Sequence, residues 1–132
     1  HAYEYHAENL ISKVQRWETV WADDLDGVNG HSRKTLWLTE FAHAGTTDSN
    51  DPTGEARQFL EQSVLYLKSS KHVSGWSWFS QEDWASFAID NIEPASPTWS
   101  SALIDSSGAE TPLGQTYSTL CRDVRPVPPM SP

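Results

Sequence analysis

A single carboxylate, Glu40, stands near the end of an apolar run, Leu36-Trp37-Leu38-Thr39-Glu40-Phe41-Ala42. A carboxylate so placed can attack an electrophilic carbon or move a proton. Side chains alternate along a strand. Leu36, Leu38 and Glu40 are therefore expected on one face, and Trp37, Thr39 and Phe41 on the other, packed against helices. A polar loop follows, from His43 to Asn50. Catalytic groups of α/β barrels stand at the C-terminal ends of strands, where these meet the βα loops. Acidic residues also end ordinary edge strands, merely solvated, and the local sequence leaves both readings open.

Two other residue types could do chemistry. His43 follows Glu40 by three residues, and Glu-x-x-His on a helix could hold a metal. Here the segment reads as strand into loop, so His43 is a loop polar residue or a substrate contact. A terminal His1, with His6, His31, His43 or His72 as a partner, resembles the copper site of polysaccharide oxidases. Those enzymes use a β-sandwich, whereas this chain alternates strands with long helices. No metal or other cofactor is expected.

The seven Trp in 132 residues imply either a dense core or flat platforms for ligands such as sugars. Trp78 is the best platform candidate, with a core position as its alternative; Trp76 is expected in the core. Trp84 and Trp99 fall in a long loop, where a further subsite is a weaker possibility.

The formal net charge is −9, from 18 acidic and 9 basic residues. That argues against nucleic acid and against an anionic membrane surface, and favours a neutral substrate. Cys121 is the only cysteine, so neither an intrachain disulfide nor a Cys-based zinc site can be built. No apolar run approaches the roughly 20 residues of a membrane span. The opening at His1, without an initiator Met, reads as a processed end or a piece of a longer chain.

The elements that must position these groups follow from periodicity. Leu10, Val14, Trp17 and Trp21 recur at helical spacing and predict a helix over about Ala7 to Ala22. Asp23 to Gly27, with Asn29-Gly30, is expected to be loop. A strand is predicted over Lys34–Phe41. Asp51 as N-cap and Pro52 at the first position should start a second helix, buried through Ala56, Phe59, Leu60, Val64 and Leu67. A strand over His72–Ser80 follows. A long connection then leads to a short helix over Leu113–Arg122. The tail 125–132 is proline-rich and expected to be disordered. This alternation argues for parallel strands joined by helical crossovers.

Four segments carry a family resemblance. Leu36 to Ala42 resembles the nucleophile strand of fungal glycoside hydrolases of family 128. These are β-1,3-glucanase-type enzymes related to alkali-sensitive-linkage cell-wall proteins. His1-Ala2-Tyr3 is similar to that family's His-x-Tyr on the sixth barrel strand. Val73 to Phe79 is similar to the eighth strand, with its Trp-Phe ending. Ser101 to Leu103, Gly108 and Leu113 to Tyr117 resemble the entry to the last helix. The resemblance implies an α/β fold, the C-terminal part (about the last three βα units, residues 1–124) of a (β/α)8 barrel. It implies a retaining hydrolase of β-glucan with Glu40 as nucleophile, and His1, Tyr3, His43 and Trp78 beside the substrate. A tyrosine hydroxyl there could hold the carboxylate ionised and oriented. The acid/base Glu of the family's fourth strand has no counterpart in these residues. A glucan-binding module without hydrolysis is thus the alternative. An extracellular or cell-wall location is expected on either reading.

Overall fold

The structure is a computed structural model that describes residues 1–28, 30, 32–44, 53–79, 102–105 and 107–122. Its elements, in chain order, are β1 (Ala2–Glu4), α1 (Ala7–Val20), α2 (Ala22–Asp26), β2 (Leu36–His43), α3 (Glu55–Ser69), β3 (Val73–Trp78) and α4 (Pro112–Arg122). The three strands form one sheet in the order β1-β2-β3. Both pairings are parallel, as the alternation of periods predicted. Parallel neighbours require a crossover, and α1 and α3 supply the helical part of each.

The helices bury one face of the sheet. Leu10 and Val14 of α1, with Phe59, Leu60, Val64 and Leu67 of α3, join Leu38, Phe41 and Trp78 of the strands in one core. These helical positions recur at the three- and four-residue spacings that define a buried stripe. Phe41 is fully buried. Burying such a ring is worth about 1.5–3 kcal/mol.

Strict alternation fails inside β2. Leu38 pairs with Trp76, but Phe41 pairs with Trp78. Three residues of β2 are thus matched to two of β3, as in a β-bulge. The extra residue resets the phase. Leu38 and Phe41, odd in spacing, both reach the core. Trp37 does not; it is 64% exposed, against the expectation that it packs beneath helices. Its ring lies across Gly75, where a Cβ would fall 2.4 Å from it. Only glycine permits that approach.

The segment expected as loop after α1 is instead the short helix α2. Buried Leu25 anchors it, and Asp23 and Asp24 occupy its first turn, where the helix dipole favours anions. Gly27, at φ 68°, ends it. α3 begins at Glu55 after Gly54. The expected cap at Asp51-Pro52, the aromatics Trp84 and Trp99 and the tail 125–132 lie outside the described residues.

Candidate active site at the strand ends

Glu40 lies within the bulged stretch of β2, near its C-terminal end. β1 runs alongside, with Tyr3 paired to Ala42. Ala2 pairs with Phe41 and is buried with it, so Tyr3, one residue on, points to the face away from the helices. There its hydroxyl donates a hydrogen bond to Glu40 Oε2. His1 Nδ1 lies 2.7 Å from the same oxygen. Among the described residues no hydrogen bond falls on Oε1. Among these residues one oxygen of the carboxylate is held and the other is uncommitted. The Glu40 side chain is 32% exposed, open enough to meet a ligand.

Burial, together with the hydrogen bond to Glu40 and its negative charge, pushes the Tyr3 hydroxyl up to about 12. Tyr3 therefore stays protonated and donates its hydrogen bond to Glu40 throughout the ordinary pH range. Phe79 packs edge-on against the Tyr3 ring, with centroids 5.8 Å apart, and completes the cluster.

Two expected site residues go elsewhere. Trp78 is 4% exposed. It packs edge-on to Phe41 at 5.1 Å and against Phe59 of α3 at 6.1 Å. It is a core residue and offers no open face to a sugar. The cause is register. Partners in a parallel pair share a face, and the bulge matches Trp78 to Phe41, which faces the helices as alternation predicted, instead of to Glu40. Phe79, the next residue, then takes the side facing Tyr3. The spacing of the apolar residues Leu36, Leu38 and Phe41 was the available signal, since it breaks a period of two. His43 also points to the helical side. It is 3% exposed and packs edge-on to Phe59 at 5.6 Å and to Tyr5 at 6.3 Å. It is not brought to Glu40.

A second polar cluster lies at the opposite end of the sheet and was not foreseen. Glu18 of α1 accepts from the Tyr66 hydroxyl at 2.9 Å through Oε2 and from the Ser70 hydroxyl through Oε1. His72, just before β3, places Nδ1 3.5 Å from Glu18 Oε1 and Nε2 3.1 Å from Asp26 Oδ1. Lys71 joins Asp26 at 2.8 Å. These contacts with Lys71 and His72 hold the Asp26 carboxyl down at about 2. Asp26 is therefore an exposed link between α2 and the entry to β3. Burial and Glu18 push the Tyr66 hydroxyl up to about 12.

Comparison with known proteins agrees with the resemblance carried by the four segments. Residues 1–117 match the family described as glycosyl hydrolase catalytic core. Over 83 residues the chain is 30% identical to Alkali-sensitive linkage protein 1 of Schizosaccharomyces pombe (strain 972 / ATCC 24843). That stretch covers 62% of this chain and 14% of that protein, so the chain spans a small part of the relative's length.

Proposed function

The chain belongs to the glycosyl hydrolase catalytic core family, and from that premise we propose that Glu40 is the nucleophile of a retaining hydrolase of β-1,3-glucan. The observation that carries this reading is the asymmetry of its carboxylate. Oε2 is fixed by Tyr3 and His1, while Oε1 accepts no hydrogen bond among the described residues. A nucleophile needs that combination. The group is oriented, yet one lone pair is free for bond formation.

In the first step Oε1 attacks the anomeric carbon. The glycosidic C–O bond breaks, and the leaving oxygen takes a proton from a second carboxyl. Water, deprotonated by that second group, then hydrolyses the glycosyl ester and frees Glu40. Retention requires the two carboxyls about 5–5.5 Å apart. Tyr3 holds the attacking carboxylate in its aim through Oε2, and His1 adds a second contact. Phe79 gives this cleft an apolar wall and holds the Tyr3 ring.

We place the second carboxyl on strands N-terminal to His1. The three parallel strands, helices on one face and exposed Trp37 on the other support a sheet that forms the last three βα units of a (β/α)8 barrel. In that arrangement five further units cover the Trp37 face. The relative's far greater length supports the larger barrel, and the family resemblance of the four segments supports a place in or outside the fungal cell wall. A glucan-binding role without hydrolysis is the second reading. It is favoured by the lack of any acidic partner for Glu40 among the described residues.

The test is laminarin hydrolysis by three proteins: the 132-residue chain, a longer chain with the N-terminal barrel units, and the longer chain carrying Glu40→Gln. We expect activity in the longer chain alone. The amide is nearly isosteric but cannot attack, so the variant should still bind glucan. Full activity in the short chain, or undiminished activity in the variant, would overturn the proposal.

A further inference from the structure

A cavity of about 490 Å³ opens on the helical side of the sheet, between the start of α1 and α3. It belongs to the same end of the strands as Glu40 but to the other face. Its size falls within the range of about 300–1,000 Å³ typical of ligand pockets. Tyr5 and His43 form one wall, with rings edge-on at 6.3 Å. Tyr5 is 62% exposed, and His43 is held almost fully buried. Gln58 and Gln62 line the cavity from α3, and Glu8 and Glu55 add carboxylates at the first turns of α1 and α3.

The chemistry of this lining selects among ligands. No Lys or Arg is among the lining residues, and two carboxylates are, so an anion is disfavoured. Among the described residues no three His, Cys, Asp or Glu gather closely enough to hold a metal ion. The lining is not apolar enough for a lipid tail. It combines an exposed aromatic ring with side-chain amides and carboxylates. Rings stack on the C–H face of a pyranose, amides donate to and accept from its hydroxyls, and carboxylates accept from them. We infer that this cavity is a second, non-catalytic site for a neutral sugar, with Tyr5 as its platform and Gln58 and Gln62 as its hydroxyl partners. The choice of glucan as its ligand rests on the proposed function; the site itself does not. A polysaccharide bound there would be held near the strand ends without touching Glu40.

The experiment titrates a β-1,3-linked glucose trisaccharide into the isotope-labelled 132-residue chain and follows backbone amide shifts. Saturable shifts at Tyr5, His43, Gln58 and Gln62 are expected. They should persist in Glu40→Gln. They should weaken by about tenfold or more in affinity when Gln58 and Gln62 are both changed to Ala, the loss of one or two hydrogen bonds. Both residues are exposed, so this variant should keep the parent spectrum elsewhere. Tyr5→Ala, also at an exposed position, should weaken the same shifts. Saturable shifts confined to Tyr3 and Glu40 would overturn the second site while sparing the catalytic proposal. Shifts confined to the Tyr5 cavity would support the second site and count against the Glu40 cleft as a glucan site in this chain. Silence at both, or shifts at the cavity that the variants leave unchanged, would also overturn the second site.

Discussion

The two ends of the sheet use the same three residue types to different effect. At the C-terminal end Tyr3 and His1 meet Glu40; at the N-terminal end Tyr66 and His72 meet Glu18. Each tyrosine donates to its carboxylate, and each is pushed up to about 12. The difference is in the second oxygen. Glu18 spends both, with Tyr66 on Oε2 and Ser70 and His72 on Oε1. Glu40 spends one. A carboxylate with both oxygens engaged ties α1, α3 and the entry to β3 together. A carboxylate with one oxygen uncommitted can still react. The same triad is therefore structural at one end and, on our proposal, chemical at the other. In barrel folds the C-terminal face carries catalysis and the opposite face carries stability.

The comparison breaks first at Glu40. In the longer chain, Glu40→Gln should lower turnover on the order of 10⁴-fold or more, with little change in melting temperature. A loss of stability as large as the loss of rate would make Glu40 structural after all. Glu18→Ala should behave in the opposite way. It leaves the Tyr66 and Ser70 hydroxyls without their acceptor, a cost of about 2–3 kcal/mol, measurable in denaturant unfolding of the 132-residue chain. In the longer chain the turnover of the folded fraction should be unchanged.

Tyr3→Phe sharpens the contrast. Removing the hydroxyl frees Oε2 and should lower kcat by about 10–100-fold, with KM little affected, because Tyr3 orients the nucleophile. Tyr66→Phe should leave kcat alone and lower only stability. A rate loss in Tyr66→Phe equal to that in Tyr3→Phe would erase the distinction between the ends.

The tyrosines also define a pH window. Their hydroxyls ionise later in the folded chain than the ordinary value of 10.0. The unfolded chain therefore loses these protons first. Their stabilising contribution is complete below about pH 10 and is withdrawn as pH rises from 10 to about 12. Ultraviolet titration of the folded chain should show Tyr3 and Tyr66 ionising late. Substituting either residue by Phe should remove its share of the late phase. Normal ionisation of both would contradict the burial and the carboxylate contacts described for them. The smallest effect is expected at Lys71→Ala. Its ion pair with Asp26 is exposed, and such pairs contribute little, so melting temperature should stay near that of the parent. A large drop would mean that the Asp26 link carries more of the N-terminal end than Glu18 does.

Much of this molecule was legible in its sequence because the relevant signals are local. The buried stripes of α1 and α3 follow from spacings of three and four residues, and the strands from short apolar runs. Parallel pairing follows from their alternation. Glu40 was visible as a charge near the end of an apolar strand, and His1 and Tyr3 were found with it through family resemblance. Tertiary structure decided which face each strand residue takes. Matching three residues of β2 to two of β3 sends Trp78 to the helices beside Phe41 and Phe79 to Tyr3, and an earlier register shift between Leu36 and Trp37 sets Trp37 across Gly75. That choice is made by pairing between strands more than thirty residues apart in the chain, and a period counted along one strand does not contain it. The same holds for Glu18, whose partners Tyr66, Ser70 and His72 reach it only when α3 and β3 have folded back onto α1. The bulge between Leu38 and Phe41 set the roles of Trp78 and Phe79, because side-chain direction in a sheet depends on parity and one extra residue reverses it.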